Sequence, residues 1–267
     1  MLPATHKELQ KQYIIYILQG SILITCELLH TKIDIFPHFL YNKLERMIKL
    51  TKNETNQLIN ILRKTYPDAR CSLDFKTPFE LVIAVMLSAQ CTDERVNLTT
   101  PELFSRCQTI EDYANIDLSD LEKIIHPCGF YKNKAKNIKL CAKQLLENFN
   151  GIVPQTMDEL TSLAGIGRKS ANVILLEVFG IANGIAVDTH CKRLSNRLGL
   201  SDQKDPSKIE QDLIMQIDKS NLKDVNHLFI WHGRYTCTAR NPKCENCTIK
   251  EYCKSFNEAS KLKTTKS

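Results

Sequence analysis

The chain has 267 residues, 43% of them hydrophobic and 25% charged, with a formal net charge of +6. This is ordinary globular composition, enough for one large or two small cores, and it argues against a small secreted disulfide scaffold despite eleven cysteines. The mild basic excess is compatible with a nucleic-acid partner without demonstrating one.

Residues 1–46 differ from the rest. The stretch 13–29 is mostly apolar but is interrupted by Gln19, Ser21, Thr25 and Glu27. It is short for a membrane span, which needs roughly 20 apolar residues. Lys7 and Lys11 precede it as in a signal n-region, yet no small-x-small cleavage site follows. Three readings compete for this atypical N-terminal extension. It is a stretch translated upstream of a true start at Met47, an extra pair of helices on the domain, or an anchor or export signal. The first two are favoured, because the rest of the chain reads as an intracellular protein.

From Thr51 onward the pattern is helical. Residues 55–66 place Leu58, Ile61 and Leu62 on one face, and Pro67 stops the helix. Residues 78–89 begin with a proline at a helix entry and are apolar enough for a buried central helix. Further helices are expected near 93–105, 118–126, 132–148, 156–163, 169–179, 188–198, 206–218 and 222–232. Alternation of period two is nearly absent, so the fold class is all-α. The lysine-rich stretch 254–267 reads as a solvated, frayed terminus or a weak phosphate contact.

The segment Leu163-Ala164-Gly165-Ile166-Gly167-Arg168-Lys169 is the most informative. Thr156, with Glu159 three residues on, caps the helix before it. Gly165 and Gly167 permit a tight turn and close backbone approach to a ligand. The helix that follows starts near Lys169 and aims unpaired N–H groups back at the turn, a site for phosphate. The same helix end disfavours an ammonium at Lys169, and a neutral amine is a nucleophile for an electrophilic sugar carbon. Asp188, in Val187-Asp188-Thr189-His190, is a carboxylate within reach, although alone it would be a plain N-cap. Helix, Gly-x-Gly turn and helix form a helix-hairpin-helix pattern at 156–179, which holds DNA phosphates without reading sequence.

Cys237, Cys244, Cys247 and Cys253 have the spacing C-x6-C-x2-C-x5-C. Four thiolates this dense converge on one centre. Zinc is the first alternative, but four-cysteine zinc sites usually use two C-x2-C knuckles and only one exists here. An iron–sulfur cluster is the better reading. Arg240 and Lys243 lie between the first two cysteines, on a short basic loop that the cluster would hold ready for phosphates. The role of the metal is structural. The other cysteines read as small buried hydrophobes in a reducing compartment.

Together these residues resemble the endonuclease III family, the bifunctional DNA glycosylases of the helix-hairpin-helix superfamily. The match runs from about 50 to 253 and includes Pro78-Phe79-Glu80-Leu81, Leu87-Ser88-Ala89-Gln90, residues 163–172, 186–190, and His232-Gly233-Arg234-Tyr235-Thr236-Cys237. The resemblance implies a six-helix barrel domain over 71–183 and an iron–sulfur cluster domain built from 47–70 plus 184–267. The active site lies in the cleft between them. It implies a 4Fe-4S cofactor on the four cysteines, Lys169 as nucleophile and Asp188 as catalytic carboxylate. Gln90 matches the residue that fills the gap left by a flipped base. Phe130 falls where the family commonly has an aliphatic wedge, and an aromatic ring there can stack on neighbouring bases. With Gly165, Gly167, Arg168, Arg240 and Lys243 these complete the expected DNA contacts. The segment 179–186 is one residue longer than the family form, which bears on the Lys169–Asp188 geometry.

The implied activity is base-excision repair of duplex DNA containing damaged bases or abasic sites. The target base leaves the stack, Lys169 attacks C1′ as an oxidised pyrimidine departs, and β-elimination cuts 3′ to the abasic site. A cytoplasmic, nucleoid-associated monomer with no membrane partner is expected. Two rivals are an adenine-mismatch-type monofunctional glycosylase and a non-catalytic DNA-binding or redox-sensing iron–sulfur protein. The first usually lacks a lysine at position 169 and adds a C-terminal recognition domain. Catalysis on damaged duplex discriminates the second.

Overall fold

The computed structural model describes residues 13–18, 21–26 and 50–264, with side chains over 50–260. The chain forms two compact units, Met1–Ile48 and Lys49–Ser267. In the first, strands β1 (Tyr13–Leu18) and β2 (Ser21–Cys26) pair antiparallel, with Tyr13 opposite Cys26 and Leu18 opposite Ser21. This corrects the expected pair of helices in that stretch. YIIYIL and SILITC are dense in β-branched and aromatic residues, and the register leaves a two-residue, hairpin-length connection. The rest of that extension, with the alternative start at Met47, lies outside the described residues. No described helix is long and apolar enough to cross a membrane.

The second unit is all-α among the described residues. It runs through α1 (Lys52–Thr65), α2 (Pro78–Ser88), α3 (Asp93–Arg106), α4 (Ile110–Asn115), α5 (Leu118–Ile125), α6 (Tyr131–Phe149) and α7 (Met157–Ser162). It continues through α8 (Arg168–Phe179), α9 (Thr189–Leu198), α10 (Pro206–Gln216), α11 (Leu222–Tyr235) and α12 (Lys254–Thr264). Local chemistry sets many of the starts. Thr51 and Glu54, Thr77 and Glu80, and Thr109 and Asp112 form reciprocal capping boxes that satisfy the orphan N–H groups of α1, α2 and α4. Two helices were not expected. Helix α4 is too short to show a period, although its Thr109–Asp112 box was readable. The stretch after Cys253 is helix α12 rather than a frayed end: Lys254 lies against Gly199 and 3.5 Å from Asp202, and the Lys250 ammonium sits over the Phe256 ring.

Buried side chains fall into two clusters. One is built from α2 through α8, with Leu81, Ile83, Leu87, Leu121, Ile125, Ile138 and Leu145 fully enclosed. Helix α2 is buried on all sides over Leu81 to Leu87, as its unbroken apolar sequence there requires. The other cluster joins α1 to the chain after residue 184, with Leu58, Leu62, Leu194, Leu213, Val225 and Phe229 at its centre. The chain crosses between them around residues 180–188.

Candidate functional site

Helix α7, a turn over 163–167 and helix α8 make the hairpin. Gly165 is in the left-handed region (φ 78°), and a Cβ there would stand 2.8 Å from Met86 Cε and 3.0 Å from Asn137 Cβ. Only glycine fits without displacing α2 or α6. Gly167 is the N-cap of α8; no side chain caps this helix, and a Cβ at Gly167 would meet nothing within 4 Å. The open N-terminus faces outward with exposed Lys169 in its first turn. The turn amide of Ala164 is taken by Gln144 Oε1 at 2.7 Å, which fixes the hairpin to α6.

Asp188 caps α9, its Oδ1 accepting from Cys191 N at 2.7 Å. Lys169 and Asp188 line one cavity of about 820 Å³, walled by residues from both cores, among them Ser88, Cys91, His190 and Asn226. The walls are tied across the gap: Arg234 Nη2 donates to Asp93 Oδ2 at 2.9 Å, and His227 and Glu177 meet at 2.6 Å. On one wall Asn226 Nδ2 donates to Ala186 O at 2.5 Å. Burial lowers the pKa of His190 below the ordinary histidine value, and Arg193 and Arg234 push the same way. Its neutral ring accepts at Nδ1 from Arg193 Nη2 at 3.1 Å.

Of the sequence-assigned DNA contacts, Gln90, Phe130 and Gly165 come together around a second, small cavity of about 230 Å³. Gln90 and Phe130 are both exposed and both left-handed, at φ 54° and 48°. The side chain of Arg168, assigned to the DNA contacts, is turned to Glu210, with Nε to Oε2 at 2.6 Å and Nη2 to Oε1 at 3.3 Å. Glu210 is buried, and it also accepts from Asn172 Nδ2 (2.8 Å) and Ile185 N (3.2 Å). A buried carboxylate draws in the nearest cation, and the Arg168 side chain, though half exposed, is engaged by Glu210. Sequence reasoning missed Glu210; the available signal was a glutamate beside Ile209 on the apolar face of α10.

The four cysteines Cys237, Cys244, Cys247 and Cys253 line one cavity of about 350 Å³. The donor set that the cavity offers is four thiols, which suits an iron–sulfur cluster. One cation and one buried imidazole attend it: Arg197 Nη1 donates to Cys237 Sγ at 3.2 Å, and the His232 Nε2 lies 3.5 Å from Cys247 Sγ. Arg197 also donates to Thr238 O (2.8 Å) and Ala239 O (3.0 Å), shaping the loop on which Arg240 and Lys243 stand exposed. Arg197 was a second residue that sequence reasoning missed.

Comparison with known proteins agrees with this geometry. Residues 83–217 match the HhH-GPD superfamily of base excision DNA repair proteins, and residues 237–253 match the iron-sulfur binding domain of endonuclease III. The chain is 46% identical over 214 residues to endonuclease III of Synechocystis sp., covering 80% of this chain and 98% of that protein. It is 41% identical to a solved non-covalent endonuclease III–DNA complex, with a TM-score of 0.75 over 80% of this chain and all of that one. A trapped covalent endonuclease III–DNA intermediate gives the same identity and TM-score over 79% of this chain.

Proposed function

Because the chain belongs to the endonuclease III family of base-excision DNA glycosylases, with a 4Fe-4S cluster and DNA as partner, we propose that Lys169 is its nucleophile and Asp188 the carboxylate that assists it. The observation that carries this reading is that both line one cavity walled by the two cores. In this reading residues 71–183 form one domain and 47–70 with 184–267 the other; the two buried clusters support it.

The amides at the open start of α8, with Arg240 and Lys243 on the cysteine loop, grip the phosphates of a duplex. Gln90 and Phe130 enter from the other cavity and fill the space of an extruded base. The Lys169 amine attacks C1′. The glycosidic C–N bond breaks, and an oxidised pyrimidine leaves with the bonding pair and takes up a proton. Asp188 stabilises the positive charge that develops on the sugar and accepts the proton released by the amine. The amine lone pair then opens the sugar ring: the C1′–O4′ bond breaks, O4′ takes up a proton, and the iminium so formed acidifies the C2′ proton, whose loss expels the 3′ phosphate and cuts the strand. Cys237, Cys244, Cys247 and Cys253 would hold the cluster, which acts as a cross-link for the basic loop. The protein acts as a cytoplasmic monomer at the nucleoid.

Borohydride trapping on a duplex containing thymine glycol tests the assignment, run beside Lys169→Gln. The expected result is a covalent adduct with the native chain and none with the variant, while DNA binding persists. Strand cutting by Lys169→Gln at the native rate would refute the nucleophile. Absence of any adduct with the native holoprotein would move the reading to a monofunctional glycosylase or a binding protein.

A further inference from the structure

Helix α6 carries a charge where its pattern calls for a hydrophobe. Its buried positions are Lys134, Ala135, Ile138, Cys141, Ala142 and Leu145. The Lys134 side chain is only 7% exposed, and its ammonium donates to Leu87 O at 2.8 Å and Cys128 O at 3.0 Å. Burial alone lowers its pKa from the usual lysine value, so the position of those carbonyls matters.

Both carbonyls end a helical segment. Leu87 is in the last turn of α2, which has no basic residue of its own there. Cys128 closes a short 3₁₀ turn over His126–Cys128. An ammonium satisfies such orphan carbonyls and complements the negative end of a helix. A left-handed residue other than glycine lies a short way beyond each: Gln90 (φ 54°), three residues after Leu87, and Phe130 (φ 48°), two residues after Cys128 and preceded by Gly129 (φ 67°). Left-handed backbone is disfavoured for side-chain-bearing residues and persists only when the surroundings enforce it. Lys134 also lines the small cavity that Gln90, Phe130 and Gly165 share.

We propose that Lys134 is a positioning residue that couples the Gln90 and Phe130 loops, so that both enter the DNA as one rigid device and hold the base out of the stack. The proposal rests on the reading of Gln90 and Phe130 given above. One ammonium bonded to both loop stems fixes the distance between them, and a loop that loses its anchor relaxes out of the left-handed conformation.

The test uses the cluster-bound protein and a duplex with thymine glycol beside 2-aminopurine, whose fluorescence rises on unstacking. Lys134→Met removes the donors at similar volume; Lys134→Arg keeps donors and charge. Single-turnover excision and the fluorescence rise are expected to slow about tenfold or more in Lys134→Met, with substantial recovery in Lys134→Arg. In a Gln90→Ala/Phe130→Ala background, Lys134→Met should have little further effect. An equal loss in both backgrounds would overturn the coupling and leave a plain stability role. A native rate in Lys134→Met, with Gln90→Ala and Phe130→Ala slow, would overturn the proposal and leave the wedge reading intact. If Gln90→Ala and Phe130→Ala unstack and excise at native rates, the wedge reading itself fails and the proposal with it. Should Lys134→Met not fold, Lys134→Gln takes its place under the same criteria.

Discussion

The Arg168–Glu210 pair is the interaction whose removal should be felt furthest from its own position. Glu210 is 4% exposed and Arg168 52%. Truncating Glu210 to alanine leaves Ile185 N without its acceptor, which costs about 1–3 kcal/mol. It also opens a hole between α8 and α10 and releases Asn172 from its stronger bond. The expected total is about 3–4 kcal/mol, or roughly 6–16 °C in Tm for a unit of this size. Arg168→Ala strands a buried carboxylate among neutral donors; because the arginine itself is half exposed, about 2–3 kcal/mol is expected. The decisive quantity is the coupling in a double-mutant cycle, measured by urea unfolding of the holoprotein. Charge-assisted bonds to a buried acceptor predict about 1.5–3 kcal/mol, where an exposed pair would give about 0.2–1. Lys169 lies between Arg168 and Asn172, both held by Glu210, so Glu210→Ala should also slow borohydride trapping about tenfold or more through misplacement of the amine. A coupling below about 0.5 kcal/mol would refute the reasoning.

Other predictions follow from local geometry. Asp188→Asn keeps an N-cap for α9 and should change stability by less than about 1 kcal/mol while slowing single-turnover excision; an unchanged rate counts against a catalytic carboxylate. Gly165→Ala should destabilise by about 1–3 kcal/mol through backbone strain and the clash with Met86. Gly167→Ala, which meets open space, should stay within about 1 kcal/mol in thermal melts yet weaken DNA binding; equal destabilisation of the two would contradict the placement of the turn. Arg240→Ala and Lys243→Ala should each lower the slope of log K against log salt by about 0.9, and an unchanged slope would remove them from the interface. Arg197→Met should loosen the same loop and weaken DNA binding while the visible iron–sulfur absorption persists; loss of that absorption would mean that the arginine holds the cluster itself.

Much of the molecule was legible along the chain. Apolar periodicity marked most helices, the Thr156–Glu159 pair marked one start, and the Gly-x-Gly turn announced the hairpin, because each depends on residues a few positions apart. The four cysteines were legible for the same reason. Of the three readings of the extension, the pair of helices failed because apolar content without a clear period says little, while β-branched density favours the paired strands β1 and β2. The sequence by itself named Lys169, Asp188 and the cysteines as chemistry-bearing. Only the tertiary structure decided what Arg168 and Lys134 do. Arg168 looked free for phosphate until Glu210, 42 residues away, claimed it. Lys134 stands among several lysines of α6 with nothing local to single it out, and folding encloses it beneath carbonyls of Leu87 and Cys128. A charge acquires its role from whatever low-dielectric surroundings and partners the fold delivers to it, and those partners are remote in the chain.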